Sequence, residues 1–294
     1  MIDEIYKSIT IENTKASAAK MQQGLQRLYT LAPKFYCQDM IFSFKKWNFP
    51  LTENHNVNII EPNINSFFLD RLQTNKPFSI ARYNDGEWIP MLRIDYTGNS
   101  AVSRGATEYN FNDWVWKESG QKYVDDYLLP IIKKIPPYFI GISSQVFKKP
   151  YMSQKIYPYL NNLKLCDGFL FVRLSITGEM QRYFDEFKKR NVIVIGPEYC
   201  KNMRKYFSFS HVETLNNNDV WLESNKVQDE IKNILDKLNR NENTVLIYAC
   251  SYVAKKLIDD FYYEYPNITQ IDMGSAVCPY SDAFVRSYSQ YAPL

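Results

Sequence analysis

Val192-Ile193-Val194-Ile195 is apolar at four successive positions. A strand with one wet face alternates apolar and polar side chains, so a continuous run asks for cover on both faces, as in a parallel sheet between helices. Further β-rich runs stand on either side of it at Phe78–Arg82, Tyr138–Ser143, Gly168–Arg173, Val245–Ala249 and Ile268–Asp272. Helical patterns lie between several of them. Met180, Tyr183, Phe184 and Phe187 recur at helical spacing, and Val253, Ala254, Leu257, Ile258 and Phe261 make a second apolar stripe. Strand–helix–strand units with buried strands predict the α/β class: a Rossmann-like, mostly parallel sheet flanked by helices.

That rhythm begins at Pro77, which divides the chain into an N-terminal helical and irregular extension, 1–76, and a Rossmann-like domain, 77–294. Leu25, Leu28 and Leu31 mark one face of a helix in the extension that Pro33 ends. The stretch from Cys37 to Lys76 is rich in Asn and Pro and holds one further helix near Phe67-Phe68-Leu69. No internal repeat is present.

Composition narrows the function classes. A net charge of +3 over 294 residues lacks the basic field of a nucleic-acid binder. Five scattered cysteines with no C-x-x-C pair argue against a disulfide framework and a zinc cluster. The acidic start Met1-Ile2-Asp3-Glu4 is unlike a signal peptide, and no apolar run is long enough for a membrane span, so the expected location is the cytoplasm. Phe44-Lys45-Lys46-Trp47 could touch a headgroup layer, but a solvated loop is the better explanation of it. The chain has 23 Tyr and 18 Phe, and aromatic rings both fill cores and stack on sugars.

In an open parallel sheet, ligands bind beyond the carboxyl ends of the strands. Phe78–Arg82 runs into Tyr83-Asn84-Asp85-Gly86-Glu87, where a glycine permits a tight turn between two acids. Converging carboxylates suit Mg²⁺ or Mn²⁺, and an ordinary solvated turn is the plainer alternative. Arg173 ends its run as a phosphate or sugar clamp, or as a scaffold partner of the acids. Gly196-Pro197-Glu198, followed by Lys201, Asn202, Arg204 and Lys205, reads as a helix start offering N–H groups to an anion, or as a solvated basic face. Ser251 reads as an N-cap, and Asp272 as a ribose reader or a turn cap. His55 and His211, the two histidines, fall in polar surroundings that support neither a triad nor a zinc site.

Arg82-Tyr83-Asn84-Asp85-Gly86-Glu87 resembles the Arg-Phe-Gly-Asp-Gly-Glu motif of the GT-D type glycosyltransferases, with Asn84 in place of the usual glycine. Other segments agree in order: Phe169–Arg173, Val194–Glu198 with Lys201, Asn217-Asn218 before Trp221, and Tyr248–Phe261 followed by Ile271-Asp272-Met273-Gly274. Pro197 replaces a glycine of that pattern, and Cys250-Ser251 replaces its small-residue turn. The resemblance implies Mn²⁺ or Mg²⁺ at Asp85 and Glu87. It makes Arg82, Asn84, Arg173, Glu198, Lys201, Asn218 and Asp272 candidate contacts to a UDP-sugar donor, with a glycan or glycoprotein as acceptor. Glu179 and Glu198 are candidate bases. The rival readings are a methyltransferase using S-adenosylmethionine, against which the lack of a glycine-rich loop weighs, and a non-catalytic glycan-binding protein.

Overall fold

The computed structural model describes Phe35–Tyr36 and residues 64–94, 118–142, 155–156, 158–160, 163–215, 220–238 and 243–282. The expected helix within the first thirty residues, Phe44-Lys45-Lys46-Trp47, Cys37, His55 and Asn218 lie outside the described residues.

Eight strands form one sheet: β1 (Phe35–Tyr36), β2 (Ser79–Arg82), β3 (Phe139–Ile142), β4 (Lys164–Asp167), β5 (Asn191–Gly196), β6 (Ser210–Glu213), β7 (Thr244–Tyr248) and β8 (Thr269–Asp272). Their order is β1-β4-β3-β2-β8-β7-β5-β6, and every pairing is parallel. The chain is therefore α/β and Rossmann-like, as expected. From β2 it runs through β3 to β4 on one side, whereas β5 to β8 all lie on the other. The direction of growth changes between β2 and β8, which is where open α/β sheets leave a crevice.

The helices are α1 (Ile64–Gln73), α2 (Asp85–Leu92), α3 (Glu118–Tyr123), a π turn (Val124–Leu128), α4 (Leu129–Lys133), α5 (Leu170–Thr177), α6 (Met180–Phe187), α7 (Ser224–Lys237) and α8 (Val253–Glu264). Val192 and Val194 enter the core on one sheet face, with side chains of α1, α5 and α6, while Ile193 and Ile195 enter the other, with α2, α7 and α8. The unbroken apolar run is thus explained by two cores. Each such side chain gains roughly 1.5–3 kcal/mol on leaving water. Both helical stripes read from the sequence are buried, and much of the aromatic surplus packs in the core, as where Phe184 and Tyr280 meet edge to face at 4.7 Å.

Two local readings are corrected. The run Gly168–Arg173 is not a strand: β4 ends at Asp167, and the chain turns into α5. Leu170, Phe171, Leu174 and Ser175 are buried at helical spacing, and a short apolar run satisfies either period until tertiary packing chooses. Ser251 is not an N-cap. It takes a left-handed φ of 52°, and α8 starts two residues later with no side-chain cap. The helix near Phe67-Phe68-Leu69 is present as α1, and its Phe68 ring packs 4.9 Å from a tilted Phe78 and edge to face with Phe139 at 5.0 Å. The expected boundary at residue 76 therefore crosses a shared core.

Candidate functional site

Arg82 closes β2, and Asn84, in extended backbone, precedes α2. Asp85 and Glu87 occupy the first turn of α2, where the helix dipole favours negative charge. The Asn84 N–H donates to Glu87 Oε2 at 2.8 Å, which folds the glutamate back over the helix start. Trp88 Nε1 donates to the Tyr83 carbonyl at 2.9 Å and anchors the turn from below. Gly86 is not needed for tightness: its φ is not positive, and an added Cβ would meet no described atom within 4 Å. The expected turn is a helix start.

The other carboxylate oxygen of Glu87, Oε1, lies 2.7 Å from the ammonium of Lys255, and the same ammonium lies 2.9 Å from Asp272 Oδ2. Lys255 sits in the first turn of α8, which packs across β2 and β8, and its side chain is 3% exposed. Burial pulls its pKa down, but the charges of Asp272 and Glu87 outweigh burial and hold it above the ordinary lysine value. Its nitrogen also reaches the Ser251 carbonyl at 3.2 Å, so the left-handed turn before α8 is part of the site.

Arg82 is clamped between loops. Its N–H donates to Asp272 Oδ2 at 3.0 Å and its Nε to the Gly168 carbonyl at 2.8 Å, while Nη1 donates to the Met273 carbonyl. Gly274 has a φ of 50°, and a Cβ there would stand 2.5 Å from Arg82 Nη1. Glycine is required at that position on both counts. The loops after β2, β4 and β8 are thereby tied to one guanidinium. Asp85, Glu87 and Asp272 together outnumber Arg82 and Lys255, all five being buried.

The fit of a divalent ion follows from these bonds. Both oxygens of Glu87 already accept from donors. Among the described residues no group of three or more His, Cys, Asp or Glu side chains is placed to hold a metal. Mg²⁺ takes about six oxygens and commonly relies on one or two carboxylates, waters and substrate phosphates. Asp85 fits that pattern as a single protein ligand; the Asp85–Glu87 pair does not fit as a two-pronged grip.

The structure brings Arg82, Asn84, Asp85, Glu87 and Asp272 to one end of the sheet, between β2 and β8. It does not bring Glu198 or Lys201 there. Glu198 starts a 3-10 helix (Glu198–Lys205) with its side chain 79% exposed, and Lys201 bonds Glu213 at 2.7 Å and lies 3.8 Å from Glu198. Their strand, β5, stands three places from β2, about 14 Å at the usual strand spacing. Arg173 falls within α5 instead of at a strand end. Asp272 is 1% exposed, so it anchors Lys255 and Arg82 and does not face a ribose. Four cysteines, Cys166, Cys200, Cys250 and Cys278, are buried. No helix among the described residues is long and apolar enough to cross a membrane.

Sequence reasoning missed Lys255 and also Tyr252, whose hydroxyl donates to the Gly86 carbonyl between the two acids. The one signal for Lys255 was its place on the border of the α8 apolar stripe, beside Ala254. No family model, curated protein or solved structure matches this chain.

Proposed function

We propose that the chain is a glycosyltransferase that moves a hexose from a nucleoside diphosphate sugar, a UDP-sugar first among them, to a hydroxyl of a glycan acceptor. The observation that carries this reading is the pair of acids on the first turn of α2, held at the change of direction between β2 and β8 by a lysine shared with the end of β8. A buried cluster of this charge is weak support for stability by itself, and such clusters gather where ligands bind. It supports a site for a polar, charged ligand.

In this reading Asp85 would hold Mg²⁺ or Mn²⁺ together with the donor phosphates, and the ion would offset charge on the departing diphosphate. Lys255 and Asn84 fix Glu87, and Arg82 fixes the three loops, so the edge is preorganised before the donor arrives. Transfer also requires a base at the acceptor hydroxyl, and none of the clustered acids is assigned to it.

Thermal-shift titration with UDP, with and without Mn²⁺, tests the proposal. Stabilisation by UDP that grows with Mn²⁺ and is lost in Asp85→Asn is expected. Stabilisation by S-adenosylmethionine alone, or by free oligosaccharide alone, would overturn it in favour of a methyltransferase or a glycan-binding protein.

A further inference from the structure

We infer that the Lys255 ammonium is the resident cation of the Glu87–Asp272 carboxylate pair, filling the place a divalent ion would need in order to use Glu87. This goes beyond the nucleotide-sugar reading and does not rest on it.

The nitrogen stands 2.7 Å from Glu87 Oε1 and 2.9 Å from Asp272 Oδ2. Mg²⁺ sits about 2.0–2.1 Å from its oxygens. An ion shared by those two oxygens would overlap the ammonium and be repelled by it. Three donors already crowd these oxygens. Glu87 Oε2 accepts from the Asn84 N–H, and Asp272 Oδ2 also accepts from the Arg82 N–H. Lys255 is tethered as well, by the Ser251 carbonyl at 3.2 Å. Two carboxylates that repel each other across the end of a sheet need a positive charge between them, and α8 supplies it covalently. Glu87 is therefore a positioning residue. A metal at this edge would not draw on Glu87, so the sequence pair Asp85–Glu87 does not act as one grip.

Removing the ammonium should convert the pair into a metal site. The full-length chain is titrated with Mn²⁺ alone, no nucleotide present, and free Mn²⁺ is followed by electron paramagnetic resonance. In the native chain, Glu87→Gln is expected to leave Mn²⁺ binding unchanged. Lys255→Ala is expected to gain a site about ten-fold tighter than any in the native chain, and adding Glu87→Gln should abolish that gain. Native Mn²⁺ binding weakened about ten-fold by Glu87→Gln alone, or a folded Lys255→Ala that gains no site, overturns the inference. Where circular dichroism shows Lys255→Ala unfolded, the native and Glu87→Gln titrations decide by themselves. UDP plays no part in these titrations, so they remain decisive even if the nucleotide-sugar reading fails.

Discussion

The hydroxyl of Tyr252 donates to the carbonyl of Gly86 at 2.5 Å, so the start of α8 closes over the turn that carries both acids. Burial, then the charges of Glu87 and Asp85, push this phenol well above the ordinary tyrosine value, and it stays a donor at every physiological pH. Tyr252→Phe keeps the ring and removes the bond. A loss of about 1 kcal/mol in urea unfolding is expected, with the slope of the transition unchanged.

Gly86 separates stability from ligand access. With a φ that is not positive and open space at its Cβ among the described residues, Gly86→Ala should be neutral or stabilise the helix start by up to about 1 kcal/mol. The same methyl would project from the first turn of α2, between the two acids. Weaker UDP binding together with an unchanged or higher melting temperature is expected. Unweakened binding would place the donor elsewhere.

Lys255→Met leaves Glu87 and Asp272 buried without their cation. Breaking one member out of a buried ion pair costs about 3–5 kcal/mol. Neutralising the acids in that background, with Glu87→Gln and Asp272→Asn, should recover part of the loss, because the penalty comes from stranded charge. Chemical denaturation of the single and triple variants measures the recovery.

His211 gives the fold a pH dependence on the acid side. It is half-buried on β6, with Nε2 3.0 Å from the Gly196 carbonyl. Burial first, then the positive charge of Lys201, lower its pKa below 6.5, and the Gly196 bond and Glu213 offset only part of this. The unfolded chain therefore takes the proton first. Its contribution is fully present above about pH 6.5 and is lost as pH falls through the folded value. His211→Gln should lose less melting temperature than the native chain between pH 7.5 and pH 5.5, as scanning calorimetry would show.

Periodicity belongs to the chain itself, so the sequence alone determined what periodicity controls. Val192–Ile195 declared a strand covered on both faces, the stripes at Met180–Phe187 and Val253–Phe261 declared their helices, and Arg82–Glu87 marked the strand end where charge collects. Only the tertiary structure decided the rest. Leu170–Thr177 fits both periods, and the cores on either side chose the helix. Lys255, which no sequence motif singled out, became the centre of the site because α8 lies across β2 and β8 and carries its ammonium to Glu87 and Asp272. Lys201, basic and close to a strand end, stayed outside because β5 stands three strands away and Glu213 takes its charge. Side-chain spacing along one element is set by local geometry. Which charge meets which across the sheet depends on strand order, and no single segment encodes that order.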